Sequence, residues 1–265
     1  MRSIFLIITL ATLIYSCGNQ VAQNSPESDT APGNTDLLQM NLKGKVMTMT
    51  ESTYTADSTG NTSKMDSVIS EYSFDEKGYL QKQLQKDSAG KVKEQLDFSR
   101  NDKGGLTKYT NTKNGMVIFT LETELADDGV TYVGGKTLDS TGKQDSYYKD
   151  LKTNEYGIVY AGKQYKMDSS IKNEWDMKYD KANFIGGTSK DSSGKTSYSG
   201  NIMLNDKGDP AEETSTTLDK DSTKTEKFIY SYGKYDEQGN WIERTAMKDN
   251  KPAKVMKRLI VYYKD

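Results

Sequence analysis

Polar stretches carrying spaced aromatic and aliphatic residues alternate with turn signals along most of the chain. The segments between turns are about eight residues long, as in Tyr198-Ser199-Gly200-Asn201-Ile202-Met203-Leu204. No segment holds a 3.6-residue apolar period over three turns, so helices are expected to be nearly absent. The turn signals come in two kinds. One leads acidic or amide residues into glycine, as at Phe74-Asp75-Glu76-Lys77-Gly78, Asn101-Asp102-Lys103-Gly104, Asp127-Asp128-Gly129, Asn154-Glu155-Tyr156-Gly157, Asn205-Asp206-Lys207-Gly208 and Tyr235-Asp236-Glu237-Gln238-Gly239. Tyr179-Asp180-Lys181-Ala182-Asn183 fills the one gap, with Asn183 expected to take positive φ in place of glycine. The other kind is Asp-Ser-x-Gly or a relative. It occurs at Asp57, Asp87, Lys113-Asn114-Gly115, Asp139, Asp168, Asp191, Asp219-Lys220-Asp221-Ser222 and Lys248-Asp249-Asn250.

From Gly78 onward the two kinds alternate, giving one turn about every 13 residues. Asp, Asn and Ser close tight turns with their side chains, and Gly supplies positive φ. Connections this short join only antiparallel neighbours. The predicted fold is therefore all-β: an antiparallel up-and-down meander of repeated hairpins, about 14–16 strands, forming an elongated or curled sheet. With 34% apolar residues, 18 tyrosines and a mean hydropathy of −0.82, the core should be thin and spread along that sheet. The C-terminal strands are the most apolar, in Phe228-Ile229-Tyr230-Ser231-Tyr232, Trp241-Ile242 and Val255 to Tyr263. That end should be the best packed, covered on both faces, or should close against another part of the sheet.

The first residues are of a different type. Arg2 precedes an apolar run from Ile4 to Tyr15, too short to span a bilayer and bounded by the small Ser16. This predicts a signal peptide over 1–16. Ile14-Tyr15-Ser16-Cys17 resembles the bacterial lipobox. That resemblance implies cleavage before Cys17, a diacylglycerol on its thiol, acylation including palmitate, and anchoring to a membrane. Gly18 after the cysteine fits sorting to the outer membrane. Residues 17–36 are polar, contain Pro26 and Pro32, and read as a disordered tether. Residues 37–265 form the repeated β-hairpin domain.

Composition narrows the chemistry. The chain has no histidine, which removes the commonest general base and metal ligand. Cys17 is the sole cysteine, so there is no intramolecular disulfide and no zinc site of Cys and His. No phosphate loop occurs, and no cofactor is expected. A net charge of −2 offers no reason to expect a nucleic-acid partner. Carboxylate hydrolysis is the one enzymatic route left open. Asp127 and Asp128 are the closest acidic pair for it, although a solvated turn explains them as well. Calcium-binding spacing is absent.

Tyr147, Tyr148, Tyr156, Tyr160 and Tyr165 cluster across the middle segments, either as a carbohydrate or peptide platform or as cross-strand packing. Tyr230, Tyr232, Trp241, Tyr262 and Tyr263 read as core. Tyr232-Gly233-Lys234-Tyr235-Asp236-Glu237-Gln238-Gly239-Asn240-Trp241, followed by Arg258 to Tyr263, looks like the C-terminal signature of secreted lipoproteins from Bacteroides-type bacteria that carry degenerate YD (RHS-like) repeats. Leu42-Lys43-Gly44-Lys45-Val46 resembles their usual start. The likeness implies hairpin repeats and no assigned activity; MORN-type repeats are more distantly similar. Asp29-Thr30-Ala31, Asp57-Ser58-Thr59, Asp66-Ser67-Val68, Asp87-Ser88-Ala89, Asp139-Ser140-Thr141 and Asp221-Ser222-Thr223 resemble the short O-glycosylation motif of such bacteria. The expected function is a non-enzymatic, outer-membrane lipoprotein that binds a protein or glycan or serves as a scaffold. Lipid or lipoprotein handling by a curved sheet is the alternative, with a carboxylate hydrolase behind it.

Overall fold

A computed structural model describes residues 35–219 and 222–264. The proposed signal peptide, Cys17 and nearly all of the tether lie outside the described residues. A single short helix opens the fold, α1 (Asp36–Gln39). Sixteen strands follow: β1 (Val46–Ala56), β2 (Thr62–Phe74), β3 (Leu80–Lys86), β4 (Val92–Arg100), β5 (Leu106–Lys113), β6 (Met116–Leu125), β7 (Tyr132–Asp139), β8 (Gln144–Thr153), β9 (Val159–Lys166), β10 (Ile171–Asp180), β11 (Asn183–Asp191), β12 (Thr196–Leu204), β13 (Pro210–Asp219), β14 (Ser222–Tyr235), β15 (Trp241–Lys248) and β16 (Lys251–Tyr262). Each strand pairs antiparallel with the next, and β16 pairs with β1, closing the sheet into a barrel.

Closure is the first correction to the sequence reading. The sheet is neither elongated nor merely curled, and its core is enclosed. Sheet twist accumulates from strand to strand and can bring the first and last edges together, which removes both unpaired edges. The seam runs in register from Thr48↔Val261 to Thr55↔Lys254. Glu51 and Arg258 face each other across it, with the Arg258 Nε donating to Glu51 Oε2 at 2.9 Å. Both are largely buried, and the guanidinium lies 3.5 Å from the centre of the Trp241 ring.

The turns show why strand direction is regular. At Asp75 the carboxylate accepts from the N–H groups of Lys77 (3.0 Å) and Tyr79 (2.9 Å), while Gly78 N donates to Asp75 O. Asp87, Asn101, Asp139, Asn154, Asp191, Asn205 and Asp236 repeat the arrangement. Gly78, Gly142 and their counterparts take positive φ, where a Cβ would be strained. The turn after β10 differs from expectation. Asp180 pairs with Asn183, leaving a two-residue loop in which Lys181 has φ 55°, and Asn183 is ordinary strand. Ala182 in this loop is buried beside Ile158.

In an antiparallel meander, successive turns fall at opposite ends. The two kinds of turn therefore mark the two rims of the barrel. The acidic-or-amide-to-glycine turns make one rim, and the Asp-Ser turns make the other. Segment 35–45 lies across the first rim. Thr35 caps α1 through Leu38 N, and Leu37 and Leu42 are buried in the main core. Asp36 accepts from Leu80 N at 2.6 Å and from Arg100 Nη2 at 2.8 Å. Asn41 donates to Asp209, and Lys43 N donates to Asn240. One short segment thus ties together turns from four parts of the rim. Thr35 and Asp36 already belong to the fold.

Inside the barrel, alternate residues of each strand pack together. Met49, Leu96, Phe98, Leu106, Tyr109, Leu121, Tyr132, Val159, Trp175 and Met177 belong to one cluster. Tyr148 stands opposite Gly135, Trp175 opposite Gly162, and Met177 opposite Gly187. A Cβ on Gly162 would come within 2.6 Å of the Trp175 ring, so these glycines make room for large neighbours. Nearer the Asp-Ser rim the interior turns polar, with Gln164 Nε2 donating to Ser146 and Ser189 Oγ to Asn173, both at 2.8 Å.

The C-terminal strands carry the second correction. They do close against another part of the sheet, but they are not the best-packed part. Leu259 is 68% exposed, and Ile229 and Val261 also face solvent. A barrel closed edge to edge places no second layer over its outer face, so β16 is covered on one side only.

Candidate binding face

The distribution of charge defines which surface meets other molecules. Lys149, Lys163, Glu174 and Lys190 are mutual partners across β8 to β11, and each lies next to an inward-facing residue. Glu122 and Lys136 pair across β6 and β7 at 2.9 Å. Barrel strands that cross a bilayer face apolar residues outward, and a lysine at mid-depth costs about 2–4 kcal/mol. Across β6 to β11 these rows are charged on the outside, while Tyr148 and Trp175 beside them point inward. Among the described residues, no helix is long and apolar enough to cross a membrane.

On this polar exterior two aromatic rings stand together. Tyr148 points into the core, so its neighbour Tyr147 points out. Tyr147 faces Tyr165 directly across β8 and β9. Their rings stack with centroids 5.3 Å apart and planes 14° from parallel. Both hydroxyls are held: Tyr147 OH donates to Ser169 Oγ at 3.1 Å, and Tyr165 OH to Asp150 Oδ2 at 2.7 Å. That bond to a carboxylate raises the Tyr165 pKa. Lys149 Nζ lies 5.4 Å from the centre of the Tyr147 ring. Beside the pair is an open cavity of about 600 Å³ lined by Glu122, Lys136, Gln144, Tyr147, Lys149 and Met167. It combines an aromatic wall, a thioether and charges of both signs, a set suited to contacting a polar surface rather than to moving protons.

The structure separates the other tyrosines predicted to cluster here. Tyr148 is in the core, edge-on to Trp175. Tyr156 packs near Ile158 and Tyr179 at the capped rim, and Tyr160 is half-buried on β9. Trp241 is buried with Tyr230 and Tyr232 packed around it; Tyr262 packs on the main core, and Tyr263 OH donates to Phe74 O. Of the acidic pair Asp127 and Asp128, the structure places Asp128 as the closing carboxylate of its turn. Asp128 accepts from Val130 N, Thr131 N and Thr131 Oγ1, and these bonds, the Thr131 hydroxyl foremost, lower its pKa. Among the described residues, no group of three or more acidic, His or Cys side chains is arranged to hold a metal.

The Asp-Ser/Thr motifs divide. Ser58, Ser88 and Ser140 are exposed on one rim, whereas Ser67 is buried within β2. Asp29 and Asp221 lie outside the described residues. Sequence reasoning missed the cap formed by segment 35–45 and the Glu51–Arg258 seam. Thr35 before Asp36-Leu37 is a legible helix start, but nothing local pairs Asp36 with Arg100, or Glu51 with Arg258.

No family profile matches the chain, and no curated protein matches it. Solved structures that resemble it do so distantly. A porin-like protein from Bacteroides uniformis ATCC 8492 is 11% identical over 83% of this chain and 99% of that one, with a TM-score of 0.35. A TcdB2-TccC3-Cdc42 complex is 13% identical over 71% of this chain, with a TM-score of 0.29, and TcdB2-TccC3 is 14% identical over 71%, with a TM-score of 0.33. This chain spans about a tenth of each of those two chains. The fold defines a class: a closed antiparallel β-barrel with a largely apolar core, charged rows on its outer wall and a cap across one rim.

Proposed function

We propose that the protein is a membrane-anchored envelope lipoprotein that works without catalysis, holding a binding face on a rigid barrel. The observation that carries this is the charged outer face of β6 to β11 together with the Tyr147–Tyr165 stack on it. A charged wall favours a barrel that stands beside a membrane over one that lies in it. A lipid on Cys17 would supply the attachment to an outer membrane. Cys17 lies 18 residues before Thr35, a reach of at most about 60 Å. The capped rim, where that segment enters, would then face the lipid, and the Asp-Ser rim would point away. The ligand class that fits is a protein or glycan surface contacting the Tyr147 groove. Handling of lipid calls for an apolar groove, and the open cavity beside Tyr147 is lined instead by Glu122, Lys136, Gln144 and Lys149.

The test has two parts. Cells fed labelled palmitate should label the wild-type protein and not Cys17→Ala, which should leave the membrane fraction. Cross-linking in intact envelopes should yield an adduct that the Tyr147→Ala/Tyr165→Ala double variant loses. Unchanged labelling of Cys17→Ala, or an adduct indifferent to both tyrosines, would overturn the corresponding part.

A further inference from the structure

The wall from β10 to β13 contains a second outer groove, and we infer that it is a binding site for a short neutral oligosaccharide. This rests on the geometry of that wall alone and does not need the Tyr147 groove. Two rows of outward residues cross the four strands. Asp176, Thr188, Ser199 and Thr216 are successive partners in one row, and Lys178, Gly186, Asn201 and Thr214 in the next. All of them except Gly186, joined by Gly187 and Gly200, line a cavity of about 460 Å³. At the usual strand spacing each row is about 14 Å long.

The depression is built by glycine. Gly186 and Gly187 have φ of 135° and 143°, where other residues are strained. A Cβ on Gly186 would sit 2.3 Å from Gly200 O, and one on Gly187 2.5 Å from Asp176 O. Glycine within a strand weakens it relative to alanine. Two in succession, facing a third on β12, leave no side chains between β10, β11 and β12 at the floor of the cavity. Gly187 faces Met177 and makes room inside; Gly186 lies so close to the Gly200–Asn201 backbone of β12 that no Cβ fits there.

The lining selects the ligand class. Hydroxyls, an amide, one carboxylate and one ammonium offer donors and acceptors with almost no net charge, so a neutral molecule rich in hydroxyls is the match. Among the described residues, the side chains of Asp176, Thr188, Ser199 and Asn201 form no hydrogen bond with one another or with a neighbouring side chain, so their bonding capacity is available. An extended peptide would be recognised through a free strand edge, and a closed barrel has none.

The experiment is a calorimetric and NMR titration of the purified barrel with maltohexaose, cellohexaose, xylohexaose and mannohexaose. At least one should bind with a dissociation constant of about 1 mM or tighter and shift the amides of Thr188, Ser199 and Asn201. Thr188→Val/Asn201→Leu should weaken that binding about tenfold or more with an unchanged circular dichroism spectrum, whereas Tyr147→Ala should leave it intact. Asp176→Asn, which keeps the shape, should weaken it less. Absence of binding by all four sugars, or binding lost in Tyr147→Ala and kept in Thr188→Val/Asn201→Leu, would overturn the inference. The second result would leave the Tyr147 face standing.

Discussion

The two rims of the barrel are made from nearly the same local chemistry and end in different states. At both, an Asp or Asn side chain closes a five-residue turn by accepting two backbone N–H groups, and a glycine takes positive φ. At the Asp-Ser rim the turns stand in water, with Ser58, Ser88 and Ser140 exposed. At the other rim the same turns gain partners from afar. Asn240 closes its turn and also bonds Lys43 N and O, and Asp209 receives Asn41. Turn chemistry sets where strands reverse. Burial of the turn is set by whether another segment lies across it, and that segment decides how much stability the rim contributes.

Four substitutions sharpen this contrast, all read by urea denaturation. Asp36→Ala should have the largest effect, a loss of about 3–5 kcal/mol, because it leaves the buried Arg100 guanidinium unpaired and Leu80 N without its acceptor. Burial raises the Asp36 pKa, while Arg100 and the Leu80 N–H oppose the rise. Asn240→Ala comes next, at about 1–3 kcal/mol, since it orphans Lys43 N and Lys43 O at the capped rim. Asp139→Ala at the exposed rim should cost less than Asn240→Ala, because water replaces the lost acceptor. Ser140→Ala should fall within roughly 0.5 kcal/mol of zero. If Asp139→Ala proved as costly as Asp36→Ala, the distinction between the rims would fail.

Acid acts on the Asp-Ser turns. Hydrogen bonds from Thr59, Thr141 and Ser193 lower the pKa values of Asp57, Asp139 and Asp191. A depressed carboxylate contributes stability above its unfolded pKa and loses it as pH falls through the folded value. Hydrogen exchange at the Asp-Ser turns should therefore rise below the ordinary carboxylate range, with Asp139→Asn removing the effect at its own turn. At the alkaline extreme the sign reverses. Burial pushes Tyr72 and Tyr198 up to about 12, so their contribution is complete below the unfolded value near 10 and is lost as pH climbs toward 12. Ultraviolet titration should show these tyrosines ionising late, together with unfolding.

The strand count, the antiparallel order and the near absence of helix were legible because turns are encoded within five residues. The alternation of two turn types was visible too, although its meaning as two rims needed the meander to be seen whole. The binding face was half legible. Tyr147 and Tyr165 stood out as aromatics, but period-2 alternation and register had to separate them from Tyr148, which faces the core. The β10–β13 groove was not legible, because Gly186 and Gly187 look like any weak strand until their partners on β10 and β12 are known.

Local sequence determined most reversals of the chain, since an Asp or Asn side chain and a following glycine satisfy their turn without help from elsewhere; the glycine-free loop after β10, with Lys181 at φ 55°, is an exception. It also determined that neighbouring strands run antiparallel, because connections so short permit nothing else. Closure, the capped rim and the covering of one face only were decided by the tertiary structure. Glu51 and Arg258 are 207 residues apart, as are edges that only accumulated twist can bring together, and no pattern within a single strand reports the curvature of the whole sheet.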